Sequence, residues 1–120
     1  MSKLKPTNPD FLNGVPELLV LQLLARTPMH GYELVRSIAR ATDTQLEFGE
    51  GCIYPILHRL EREGLLAGET VQAGKRTRIV YRVTAAGLQR LAQSTSAWEA
   101  VVASVNRVLQ GGGDADTAMA

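Results

Sequence analysis

The stretch GEGCIYPILHRLEREGLL, residues 49–66, constrains the fold more than any other part of the sequence. Its apolar residues recur at the i, i+3, i+4 and i+7 spacing of one helical face; they are Ile53, Ile56, Leu57 and Leu60. Pro55 suits the start of a helix that begins near Gly51 or Cys52, because few N–H groups there have an intrahelical acceptor to lose. Gly64 can adopt the left-handed conformation that ends many helices. The stretch therefore predicts a short helix with both ends fixed.

The side of this helix opposite the apolar stripe is partly basic. At about 100° per residue, it points through His58 and Arg62, with Tyr54 and Pro55 beside them. Arg59 is also expected at an exposed position. We therefore expect these five side chains to face a partner molecule.

Two more helices are predicted before this one. PELLVLQLLA, residues 16–25, has Pro16 at a favourable first helical position and leucines nearly all round, which indicates a buried helix. Pro28 ends it, because a proline cannot continue a helix. After a turn at His30 and Gly31, YELVRSIARA has the amphipathic pattern of a helix of about three turns. The polar connector TDTQLEFGEG leads to the third helix.

A β-hairpin with a basic tip is predicted next. ETVQ and RIVYRVT are rich in strand-forming residues, and AGKRT separates them. No acidic residue lies between Glu69 and Glu99, whereas five basic residues do: Lys75, Arg76, Arg78, Arg82 and Arg90. These cations could form a solvated edge that protects strands from aggregation. The absence of acids in the cluster favours contact with DNA.

A long helix closes the fold, with Thr84 as the expected N-cap and the triple glycine at 111–113 as its end. Its apolar positions step by three and four, the 3.5-residue period of a coiled-coil seam. They are Leu88, Leu91, Thr95, Trp98, Val102, Val105 and Leu109. A helix of about 39 Å is longer than a three-helix core needs, so we expect a second copy of the chain to cover it. Trp98 is interpreted as dimer packing, with an aromatic effector pocket between two subunits as the alternative.

Composition limits the remaining possibilities. At 120 residues the chain fits one domain, and its net charge of +1 does not itself indicate a polyanionic partner. One cysteine excludes an internal disulfide and, with no signal peptide and no membrane span, predicts a cytoplasmic protein. The spacing of His30, Cys52 and His58 matches no usual metal site. We expect Cys52 to be a packing residue rather than a redox switch, and we expect no cofactor and no catalytic residues.

Three helices followed by a hairpin predict a winged helix-turn-helix: a mainly α fold with a small β-hairpin and a long C-terminal dimerisation helix. The expected units are a flexible arm (1–10), a DNA-binding domain (11–84), a dimerisation helix (85–110) and a disordered tail (111–120). The third helix would enter the major groove while the hairpin tip reaches phosphates or the minor groove. The predicted DNA contacts are Tyr54, Pro55, His58, Arg59, Arg62, Lys75, Arg76 and Arg78. The alternative, a protein-interaction module, is disfavoured by the basic hairpin.

Four segments resemble the consecutive signatures of the PadR family of bacterial transcriptional regulators, from about residue 11 to 92. They are FLNGVPELLVLQLL, MHGYELVRSI, GEGCIYPILHRLEREGLL and RIVYRVTAAGLQRL. The resemblance implies a homodimeric repressor that binds a palindromic operator and releases it on effector binding or another signal. A small aromatic or hydrophobic molecule is the candidate effector, with Trp98 as its candidate contact. It also implies dimerisation through the C-terminal helix, in the shorter branch of the family. Cys52 departs from the threonine or serine usual in the family.

Overall fold

The computed structural model describes residues 9–111, with side chains from residue 14 onward. Within these residues the helices are α1 (Pro9–Arg26), α2 (Gly31–Ala41), α3 (Glu50–Arg62) and α4 (Ala85–Leu109). The strands are β1 (Met29–His30), β2 (Leu66–Ala73) and β3 (Arg76–Val83), in the sheet order β1-β3-β2. The predicted fold class, mainly helical with a small hairpin, is confirmed. Residues 1–8 and 112–120, most of the expected arm and tail, lie outside the described residues.

The first helix starts earlier than predicted. We expected Pro16 at its first position, but α1 begins at Pro9 and runs through Pro16, which is buried. Proline has a φ angle compatible with a helix, and its cost in the interior is chiefly the lost hydrogen bond to the carbonyl four residues earlier and a steric clash there. The helix ends before Pro28 as predicted.

The core lies among α1, α2, α3 and the sheet. Its fully buried aliphatic side chains come from all three helices: Val20, Leu21, Leu24, Leu34, Ile38, Ile53, Leu57 and Leu60. Tyr81 of β3 joins them at 2% exposure. Leu91 of α4 is also part of this core at 9% exposure, so its assignment to the dimer seam is wrong. Helix α4 packs on α1 and β3 of the same chain, and Leu91 belongs to that intramolecular core.

The third helix has the predicted ends with one difference. It begins at Glu50 with Gly49 as N-cap, so Pro55 is the sixth helical residue and lies beyond the first turn. The carbonyl of Gly51 therefore has no N–H donor from Pro55. Gly64 has φ +77°, and the N–H of Leu65 donates to the carbonyl of Leu60 at 2.9 Å. This confirms the predicted left-handed cap.

The hairpin is longer and tighter than the sequence indicated. β2 and β3 pair from Leu66 with Val83 to Ala73 with Arg76. Only two residues, Gly74 and Lys75, form the turn, and Gly74 supplies the positive φ of 66° that such a turn requires. Lys75 is thus at the tip, while the two nearby arginines lie within strand β3.

The last helix has the predicted N-cap, because Oγ1 of Thr84 accepts a hydrogen bond from the N–H of Gly87 at 3.1 Å. It ends at Leu109, before Gly111 with φ +70°. The described chain is elongated, 69 × 31 × 29 Å, and every residue of α4 from 103 to 109 is exposed. No helix in the described part is long and apolar enough to cross a membrane.

Candidate nucleic-acid interface

A cleft of about 590 Å³ lies between α3, the start of α2 and strand β3. Four of the eight predicted DNA-contacting residues line it: Tyr54, His58, Arg76 and Arg78. The other walls come from His30, Gly31, Tyr32, Thr77, Ile79 and Tyr81. Residues far apart in sequence are thus brought together. Tyr54 and His58 of α3 form an aromatic wall of the cleft, and Arg76 and Arg78 of β3 form a basic wall.

The α3 wall is formed by two rings. The ring centroids of Tyr54 and His58 are 6.1 Å apart, and His58 is exposed. Tyr54 is half-buried against Gly31, where an added Cβ would lie 2.5 Å from the ring carbon Cζ. Glycine at the first residue of α2 is therefore what lets the Tyr54 ring lie here.

Two further predicted DNA contacts on α3, Pro55 and Arg62, are exposed. Within the described side chains, no ion pair involves Arg62, nor Lys75 or Arg76 of the hairpin. Lys75 and Arg76 are both exposed. These cations are available to an anionic partner without first breaking an intramolecular bond.

Arg78 has a different environment because it reaches the sheet neighbour β1. His30 pairs with Val80, so its side chain lies on the same face as Arg78. The Arg78 Nη1 atom is 2.6 Å from His30 Nε2, while Nδ1 of the same ring accepts from the Glu33 N–H at 3.2 Å. A neutral imidazole has one acceptor nitrogen, and a guanidinium only donates. The ring therefore satisfies one of these donors at most, and Arg78 keeps donors for another acceptor.

The basic wall continues onto the start of α2. The sequence did not predict this continuation. The rings of His30 and Tyr32 stack with centroids 6.5 Å apart and an angle of 6°. The guanidinium carbon of Arg36 lies 5.7 Å from the centroid of Tyr32, in cation–π range. His30, predicted as a turn residue, instead ends β1 and caps α2. Only the i, i+4 spacing of Tyr32 and Arg36 could have indicated this pair.

Arg59 does not line the cleft. Its guanidinium donates to Glu17 of α1 at 2.9 Å and to Glu63 at 3.5 Å. The hydrogen bond to Glu17 is the main reason why the pKa of Arg59 is raised above its usual value. Arg59 is one residue, or about 100°, from His58 around the helix, which turns it toward α1. The structure therefore gives no support to the prediction that Arg59 faces DNA.

The predicted seam positions of α4 differ in how exposed they are. Leu91 is buried in its own chain and Thr95 and Val102 are half-buried, whereas Val105 and Leu109 are 49% and 75% exposed. Leu88 is also exposed, as are Val101 and Val108, which the repeat did not include. Trp98, at 37% exposure, lines a groove of about 180 Å³ between α1 and α4 with Val15, Leu18 and Val101.

No group of three or more His, Cys, Asp or Glu in the described residues could hold a metal. Cys52 is exposed, so its prediction as a packing residue is wrong. It is the third residue of α3, and its neighbour Ile53 takes the buried position.

Three helices, a basic hairpin and an aromatic cleft beside α3 define a winged helix-turn-helix DNA-binding protein. The model of the transcriptional regulator PadR-like family matches residues 20–93, and the chain belongs to this family. It is 33% identical over 96 residues to the transcriptional regulator Rv3488 of Mycobacterium tuberculosis, covering 80% of this chain and 87% of that protein.

Solved structures agree with this membership. A PadR family transcriptional regulator from Eggerthella lenta is 34% identical with a TM-score of 0.72, covering 83% of this chain and 86% of that one. A PadR-like transcriptional regulator from Bacillus cereus is 32% identical with a TM-score of 0.72, covering 85% and 98%. The chain is therefore a DNA-binding transcriptional regulator and not an enzyme.

Proposed function

We propose that this regulator is a homodimeric repressor that binds a palindromic operator through two copies of the cleft, one from each subunit. The observation that carries the proposal is that the cleft joins the exposed side of α3 to the basic hairpin. An α-helix fits the major groove, and the hairpin beside it can reach the adjacent phosphates.

The proposed contacts divide between α3 and the hairpin. We assign base edges to Tyr54, Pro55, His58 and Arg62, since helix side chains read the major groove directly. Phosphates are assigned to Lys75, Arg76 and Arg78, and these charge contacts would supply most of the affinity. Arg59 is left out because Glu17 and Glu63 hold its guanidinium.

A second copy of the chain is the proposed partner of α4. Val101, Val105, Val108 and Leu109 are exposed on its projecting part. A projecting apolar strip is normally covered by a partner, and a two-fold dimer is the commonest arrangement. We therefore keep residues 11–84 as the proposed DNA-binding domain and 85–110 as the dimerisation helix. Action in the cytoplasm also stays a proposal.

The proposed effector site is the groove beside Trp98. Its volume of about 180 Å³ in one protomer is below the usual range for drug-sized ligands. The second copy would have to complete it. Its apolar lining of Val15, Leu18 and Val101 fits a small aromatic or hydrophobic molecule.

Selection of bound sequences from random duplex DNA tests this function. We expect a palindrome with half-sites about 10 base pairs, or a multiple of this, apart. Sedimentation should give two chains per duplex. A selected sequence without two-fold symmetry, or one chain per duplex, would contradict the homodimer. A reporter gene carrying the selected sequence in its promoter should be less active when the protein is present, and increased activity would rule out repression.

A further inference from the structure

Four charged side chains form a closed ring that joins three parts of the fold. One carboxylate oxygen of Glu17 in α1 accepts from Arg59 of α3 at 2.9 Å, and the other accepts from Arg90 of α4 at 3.0 Å. Glu63, the C-cap of α3, closes the ring at 3.5 Å from Arg59 and 3.9 Å from Arg90. The ring contains two positive and two negative charges.

Glu17 is the least exposed member of the ring. Its side chain is 14% exposed, compared with 38% for each arginine and 42% for Glu63. Ion pairs shielded from solvent are screened less by salt than surface pairs. The two oxygens also hold arginines from two different helices, so a small rotation of either helix would lengthen one of these bonds.

The position of the ring matters because α1 packs against both α3 and α4. In the proposed dimer, α3 reads the half-site and α4 holds the partner subunit. The angle between α3 and α4 therefore determines how far apart, and at what rotation, the two copies of α3 meet the duplex.

We propose that Glu17 is a positioning residue that fixes α3 relative to α4 and so sets the half-site spacing that the regulator accepts. This inference rests on the proposed homodimeric binding of DNA. Glu17 also lines the groove beside Trp98, so a ligand bound there would lie next to the same carboxylate. Glu17 itself contacts no DNA in this proposal.

The test uses full-length protein and a set of duplexes derived from the selected operator. The duplexes carry the selected half-site spacing, one base pair fewer, one base pair more, or a single half-site. An added base pair rotates one half-site by about 34° and shifts it by about 3.4 Å. We expect wild-type protein to lose about tenfold or more in affinity for each altered spacing.

In Glu17→Gln, the loss of affinity on changing the spacing should fall to about threefold or less. Its affinity for a single half-site should stay at the wild-type level. Glu33→Gln is the matched control, because Glu33 pairs with Arg40 at 2.8 Å within α2 and joins no two helices. This control should keep the wild-type preference. Sedimentation should show that both variants remain dimeric.

A Glu17→Gln protein with the full wild-type spacing preference would overturn the inference and leave the proposed function standing. Wild-type protein that is indifferent to spacing would overturn both. If circular dichroism shows that Glu17→Gln is unfolded, Arg90→Gln takes its place, because it cuts the link to α4 and leaves Glu17 paired with Arg59. In Arg90→Gln, the loss of affinity on changing the spacing should likewise fall to about threefold or less. A loss equal to that of the wild-type protein would refute the inference.

Discussion

Arg78 and His30 approach each other across the sheet, with Nη1 and Nε2 2.6 Å apart, although the same imidazole already accepts from the Glu33 N–H. The ring has one acceptor nitrogen for two donors. Arg78 therefore gains little from this contact, and its place in the cleft is determined by the strand register rather than by a strong partner. A phosphate oxygen would satisfy its donors better than His30 does.

Replacing Arg78 with alanine should weaken DNA binding and reduce its salt dependence. Each phosphate contact contributes about 0.9 to the slope of log affinity against log salt concentration. The proposed dimer carries two copies of each residue, so we expect the slope to become shallower by about 1.8, for two lost contacts, in Arg78→Ala and likewise in Lys75→Ala. Arg82→Ala is the control, because Arg82 is exposed on the same strand but pairs with Ala67 at the base of the hairpin. Fluorescence anisotropy at several salt concentrations gives the slopes, and an unchanged slope in Arg78→Ala would exclude its phosphate contact.

Gly31→Ala should reduce operator affinity through Tyr54. The added Cβ would lie 2.5 Å from the end of the Tyr54 ring, which can rotate away into the cleft. The melting temperature should therefore fall little, while the base contact of Tyr54 is lost at a cost of about 1 to 3 kcal/mol per half-site in binding. The control is a double-mutant cycle, because Gly31→Ala should have almost no further effect in Tyr54→Ala protein. Additive losses would show that Gly31 acts independently of Tyr54.

The parts of the fold that sequence predicted correctly depend on local periodicity and local caps. Ile53, Leu57 and Leu60 are fully buried, as the spacing of the stripe required. The caps at Gly64 and Thr84 depend on residues three to five positions away. Such interactions can be inferred from a short window of sequence, because the chain geometry alone brings the partners together.

The errors concern partners that are distant in sequence. Arg59 is 42 residues from Glu17 and Arg78 is 48 from His30, so nothing local indicated either contact. Strand β1 has only two residues, too few to show an alternating pattern. Leu91 fitted the heptad, but the repeat cannot tell whether an apolar face packs on its own chain or on another.

The ionisation of Tyr81 should give a pH-dependent loss of stability in alkaline solution. Burial, and next the Glu61 carboxylate, raise the pKa of Tyr81 above its usual 10.0. The unfolded chain therefore loses this proton at a lower pH than the folded chain does. The contribution of Tyr81 to the free energy of unfolding is complete below pH 10.0 and is lost as the pH rises through the folded-state pKa. Urea unfolding at several pH values measures the decline, and Tyr81→Phe should make it shallower. An equal decline in both proteins would assign it to other groups.

Charge placed at two predicted seam positions of α4, half-buried Val102 and exposed Val105, should separate the proposed dimer. Lysines at Val102 and Val105 would bring like charges of two subunits together and leave them without water, which costs far more than the apolar contact gains. We expect the double variant Val102→Lys/Val105→Lys to sediment as a folded monomer with weaker operator binding. Ala100→Lys is the matched control, since Ala100 lies more than about 130° from both positions around the helix. Leu91→Lys is unsuitable for this test, because Leu91 is buried in the core of its own chain and the lysine would disrupt that core. A dimer that survives the double substitution would place the subunit contact elsewhere on the molecule.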